Sequence, residues 1–143
     1  MGLSAIKEEQ TMDKNDNNQP ADFELVHSYS RKQALEDGVL IDVTETAREA
    51  GFRYPVALTA AAYAEYVAVP DGVTGQDIQG RLWDMLWMLL NAIRRGGDTD
   101  RVPFELYVRN SDRHPAKLVR LVGHCGPGDD LEPVITVMLP GED

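Results

Sequence analysis

The sequence holds a single cysteine, Cys125, in 143 residues. One thiol excludes an internal disulfide framework and suits a reducing compartment, so the cytoplasm is the expected location. No apolar run reaches the roughly 18 residues that a membrane span needs, so no membrane partner is expected. The first nine residues, Met1 to Glu9, lack an apolar stretch and turn acidic, so no secretory leader is expected. Cations are scarce: 14 Lys and Arg stand against 24 Asp and Glu, for a net charge of −10. That balance disfavours direct nucleic-acid binding, which relies on Lys and Arg at phosphates. Phosphate-cradling motifs are missing too, since neither a Walker-type loop nor Gly-x-Gly-x-x-Gly occurs.

What is present is an ordinary globular composition with 43% hydrophobic residues, enough for one core in a chain of this length. Residues 1–21 are an exception. The run Asp13-Lys14-Asn15-Asp16-Asn17-Asn18-Gln19-Pro20 offers too little apolar surface to offset its ordering entropy, so residues 1–21 read as a disordered tail. Residues 22–143 read as a single α+β domain.

Phe23 to Ser28 has strand character. Ser30 with Gln33 makes a capping-box pattern before a short helix that stops at Gly38. Val39 to Val43 is β-prone, and Thr44 is a candidate cap for a second short helix ending at Gly51. Pro55 and Thr59 precede a strong helix former, residues 60–67. The clearest element is a helix over residues 76–95. Ile78, Leu82, Met85, Leu86, Leu89 and Ile93 form its apolar stripe, with Trp83, Trp87 and Leu90 beside it. Asp77, Gly80, Arg81, Asp84, Asn91 and Arg95 form its polar strip. Core packing is the first reading of the two tryptophans; a homodimer seam is the second. The remainder reads as a meander of three strands, with Phe104, Leu106 and Val108 alternating against Glu105, Tyr107 and Arg109. The expected fold is therefore short N-terminal helices and one long amphipathic helix packed on a mainly antiparallel sheet with a C-terminal three-strand meander.

Chemistry concentrates in His124-Cys125-Gly126-Pro127-Gly128-Asp129-Asp130-Leu131-Glu132-Pro133. This segment reads as a shaped loop between two strands, and shaped loops on a rigid sheet often carry binding. Gly126, Gly128, Asp129, Asp130 and Glu132 are its candidate binding residues. A metal is not expected, because His27, His114, His124 and Cys125 have no ligand spacing and adjacent His124 and Cys125 point to opposite faces when extended. Cys125 is not expected to be a nucleophile, because Asp129, Asp130 and Glu132 would raise its pKa and repel an oxyanion. No cofactor is expected. One enzyme pattern stands beside this reading. His27, Tyr63 and Glu132, in that order, resemble the His-Tyr-Glu arrangement of ADP-ribosyltransferases. The resemblance implies that the His and Tyr hold a nicotinamide dinucleotide while the Glu polarises its ribose. This chain departs from that pattern in having Ser28 and Tyr29 after the histidine.

A broader resemblance rests on Leu25-Val26-His27-Ser28-Tyr29-Ser30, on Ala34-Leu35-Glu36-Asp37-Gly38-Val39-Leu40-Ile41-Asp42-Val43-Thr44, on Gly80-Arg81-Leu82-Trp83-Asp84, and on Cys125-Gly126-Pro127-Gly128-Asp129 onward to Pro140. Across residues 23–143 these runs resemble a domain-of-unknown-function family of small acidic bacterial proteins found on plasmids, integrative elements and phages. The resemblance implies a mobile-element setting and no catalytic residues. The expected function is a non-enzymatic acidic binding module that meets a basic surface on a protein partner. The setting suggests a counter-defence inhibitor of anti-CRISPR or anti-restriction type.

Overall fold

A computed structural model describes residues 29–96 and 99–142. The expected tail over residues 1–21, the strand over residues 23–28 and His27 lie outside the described residues. The chain divides into two compact units between Ala34 and Leu35. The Gln33 N–H donates to the Ser30 hydroxyl at 2.9 Å, so Ser30 caps helix α1 (Arg31–Glu36), whose residues fall on both sides of that division, as its side chain suggests.

The second unit holds a five-stranded mixed sheet ordered β1-β2-β5-β4-β3. Its strands are β1 (Leu40–Asp42), β2 (Val56–Thr59), β3 (Arg101–Val108), β4 (Lys117–Pro127) and β5 (Pro133–Met138). Helices α2 (Thr44–Ala50), α3 (Ala60–Tyr66) and α4 (Ile78–Gly96) complete it. Strands β3, β4 and β5 form the expected antiparallel meander, while β2 runs parallel to β5 and antiparallel to β1. No helix among the described residues is long and apolar enough to cross a membrane.

The registers place Val56, Leu58, Ile135, Val137, Leu121, Val102, Phe104 and Leu106 on one face of the sheet. All eight are buried, together with Leu82, Met85, Leu86 and Leu89 of α4. The core is therefore this face with the helices laid on it. Gly123 sits at its middle. A Cβ there would stand 2.6 Å from Leu89 Cδ1, so the absent side chain is what lets α4 approach β4.

Several expectations are corrected. Val56-Ala57-Leu58, given no element from the sequence, is an inner strand, β2, and is buried. A short continuous apolar run carries no periodicity that separates strand from helix. Thr44 is not a cap. It is the first residue of α2, and its hydroxyl donates to Asp42 Oδ1 at 2.6 Å and accepts from the Val56 N–H at 3.1 Å. Thr59 is the cap of α3. Ile78 and both tryptophans are exposed rather than packed in the core, with Trp83 at 37% and Trp87 at 44%. Leu90 and Ala92 take the buried arc of α4 instead.

Arg81, assigned to the polar strip, is 6% exposed. Its guanidinium donates to Gln76 Oε1, the Arg109 carbonyl and Asn110 Oδ1 at 2.9, 2.9 and 2.6 Å. Asn110 in turn donates to the Glu65 carbonyl. One cation thus ties the start of α4 to the end of β3 and, through Asn110, to α3. Burial first, and the Arg109 charge second, lower the pKa of this guanidinium.

Beside that pin, the exposed Asp112 carboxylate accepts from the Thr74 N–H and hydroxyl and pairs with Arg109. The Thr74 backbone bond, then its hydroxyl bond, then Arg109 hold the Asp112 carboxyl below the usual aspartate range. A depressed folded pKa means that the clasp contributes its full stabilisation above the ordinary aspartate value. That contribution is lost as pH falls through the folded value. In an acid titration followed by NMR, the Thr74 amide should shift at lower pH than an unpaired aspartate would titrate. Asp112→Asn should abolish that step.

Candidate functional site

The segment richest in chemistry is mostly strand. His124, Cys125, Gly126 and Pro127 belong to β4, paired in order with Thr136, Ile135, Val134 and Pro133 of β5. The expected ten-residue loop shrinks to residues 128–132. The reason lies in the hydrogen-bond phase. Gly128 N–H donates to the Glu132 carbonyl at 2.6 Å, which makes Gly128 and Glu132 a hydrogen-bonded pair. The next pair, Pro127 with Pro133, is then a non-bonded position where the ladder asks for no N–H. Both prolines fit the strands, although proline and glycine in sequence signal a loop.

Between them, Asp129, Asp130 and Leu131 form a three-residue hairpin loop. The Leu131 N–H donates to the Gly128 carbonyl at 3.0 Å, and Leu131 follows at φ 66°. This is the position such loops give to glycine. A left-handed backbone costs a side-chain-bearing residue roughly 1–2 kcal/mol, yet leucine stands here with 82% of its surface exposed. Leu131 is the only non-glycine residue at positive φ among the described residues.

The candidate binding residues divide by role. Glu132 turns its carboxylate inward: Oε1 accepts from the Asp130 N–H at 3.0 Å. Its carboxyl group also fills the space beside Gly128, where a Cβ would meet it at 2.6 Å. Glu132 therefore shapes the loop. Gly126 lies in the strand with the His124 ring beside it. Asp129 and Asp130 stand at the tip with Leu131. Sequence reasoning singled out the acidic residues and passed over Leu131, because an exposed leucine gains meaning only from its backbone angle.

Tyr63 lies in α3, beyond the end of β2, while Glu132 precedes the start of β5. As β2 and β5 run parallel, the two residues belong to opposite ends of the pair. His27 lies outside the described residues. Cys125 is half-buried, and burial first and the Asp100 charge second raise its thiol pKa. That is the reverse of what a thiolate nucleophile requires. Among the described residues no group of three or more His, Cys, Asp or Glu stands together to hold a metal ion.

A second surface was not visible in the sequence. A groove of about 840 Å³ runs along the outer edge of β3, lined by Trp87, Met88 and Arg95 of α4, by Glu105 and Tyr107 of β3, and by Leu118 and Arg120 of β4, among others. Tyr107 is 70% exposed.

Residues 16–143 match a family model described as a family of unknown function, DUF6573. No curated protein and no solved structure matches the chain.

Proposed function

As the chain belongs to this family of unknown function, we propose from its geometry that it is a non-enzymatic protein-binding module. The β4–β5 hairpin tip docks on a basic, partly apolar surface of another protein. The observation that carries this reading is Leu131, a fully presented leucine held in a backbone conformation that favours glycine. Strain retained at an exposed position points to use of the side chain. Asp129 and Asp130 precede it and supply the negative field that steers a cationic partner, and the net charge of −10 extends that field. An apolar centre with a polar rim is the usual anatomy of an interface. The resemblance to mobile-element proteins favours a counter-defence inhibitor, of anti-CRISPR or anti-restriction type, as the specific form of this module.

The test separates stability from binding. Leu131→Gly should leave chemical stability unchanged or raise it, by no more than about 1 kcal/mol, because it relieves the left-handed strain. The same change should abolish specific capture of a partner from a lysate of the source cells. Asp129→Asn with Asp130→Asn should weaken capture and flatten its dependence on salt. Wild-type capture that survives high salt, together with undiminished capture by both variants, would end this reading.

A further inference from the structure

The open edge of β3 has a defined hydrogen-bond phase. The Cys125 N–H donates to the Asp100 carbonyl at 2.8 Å, so Asp100 and Cys125 are a hydrogen-bonded pair. Counting along the register, Val102, Phe104, Leu106 and Val108 bond to β4, while the odd-numbered residues do not. The backbone groups of Pro103, Glu105 and Tyr107 therefore point outward, away from the sheet. Pro103 agrees, since its missing N–H falls where β4 requires none. Among the described residues no strand pairs with this edge.

From this edge we infer that the protein is a homodimer in which β3 pairs antiparallel with β3 of a second copy, about a two-fold axis through Leu106. The phase selects that register. It sets Glu105 opposite Tyr107 of the second copy, and Tyr107 opposite its Glu105. Each of these is a hydrogen-bonded pair in which both residues own an N–H. Centring the axis on Glu105 would place two Glu105 carboxylates face to face and ask Pro103 for a donor it lacks. Centring it on Phe104 would put Pro103 opposite Glu105 in the central pair; with the axis at Leu106, Pro103 falls opposite Arg109, whose carbonyl already accepts from Arg81 and Gln76 and asks for no further donor. With the axis at Leu106, Glu105 lies diagonal to Arg109 of the second copy, an attractive placement that adds to the pairs these residues already make with Arg120 and Asp112.

Charge explains why copies would meet here. Two chains at −10 repel over most of their surface. The groove lining is balanced instead, with Asp84 and Glu105 against Arg95 and Arg120. It is also where exposed apolar side chains gather: Trp87 and Met88 on the helix side, Tyr107 and Leu118 on the other. An unpaired strand edge with apolar flanks is a template for association, and a closed two-fold pair uses it up. Trp83 does not line this groove, so Trp87 alone of the two tryptophans belongs to the seam.

Sedimentation of the full chain over a range of concentrations tests this. A dimer is expected. Tyr107→Pro removes an outward N–H, and Trp87→Lys places a charge in the seam at an exposed site that leaves the core untouched. Either change should raise the dissociation constant at least about tenfold, equivalent to about 1.4 kcal/mol. The register is read by cross-linking in a Cys125→Ser background. Glu105→Cys protein mixed with Tyr107→Cys protein should form a mixed disulfide faster than either forms alone, because directly opposed bonded residues stand about 5.5 Å apart at Cα. A wild-type chain that stays monomeric, a dimer indifferent to Trp87→Lys, or cross-linking with no preference for the mixed pair would overturn the inference. The acidic hairpin tip plays no part in it, so the two proposals fail separately.

Discussion

Gly123→Ala is expected to destabilise the protein by about 2 kcal/mol, even though alanine is the less entropically costly residue in a strand. The new Cβ would meet Leu89 Cδ1 at 2.6 Å and Cδ2 at 3.2 Å. A side-chain end can turn away from such a contact when it has room. Leu89 has none, because it is completely buried between α4 and the sheet. The helix must therefore lift, or leucine must leave its rotamer. Leu89→Ala alone should cost about 3 kcal/mol through the cavity it opens. The two changes together should cost less than their sum by at least about 1 kcal/mol, because alanine at Gly123 partly fills the space that Leu89 vacates. Urea unfolding of the two single variants and the double variant measures this. Strict additivity would show that Gly123 is not the contact that sets the helix-to-sheet distance.

The second large effect concerns Arg81. Arg81→Met keeps an apolar stem of similar length but removes every donor from the pin. Asn110 Oδ1 and Gln76 Oε1 lose their guanidinium partner, and the Arg109 carbonyl keeps only the bond from Gln76 Nε2. Bonds from a charged donor are worth about 1.5–3 kcal/mol each, and part of that loss is offset because methionine needs no hydration when buried. A net loss of about 3 kcal/mol is expected, which lowers the melting temperature of a unit this size by more than about 10 °C. Arg81→Lys should recover only a minor part of it. A lysine is a compact point charge and cannot hold three acceptors in the plane of a guanidinium. The loss should appear as a lower denaturation midpoint with an unchanged slope, since the folded surface is otherwise the same.

Arg81 also shows where one-dimensional reading stops. On a helical wheel it belongs with Asp77 and Asp84, and charged residues are almost never fully buried without partners. Two of its three partners, Arg109 and Asn110, lie far along the chain, and no local pattern announces them. Leu131 is a similar case. Leucine in a polar loop carries no signal until the turn is known. Pro127 misled in the other direction, because its compatibility with a strand depends on bond phase and not on composition.

The sequence by itself determined the α+β class, the long helix and the meander. Periods near 3.6 and 2 are imposed by burial on one side of an element, and they survive in the order of residues. It also determined the acidic hairpin as the place to look, because clustered glycine, proline and carboxylate are local facts. Only the tertiary structure decided that Val56-Ala57-Leu58 is an inner strand, that Arg81 is a buried pin, that Leu131 stands in a glycine conformation, and that among the described residues no strand pairs with the outer edge of β3. Each of these depends on which distant residue lies opposite, and that is a property of the assembled sheet.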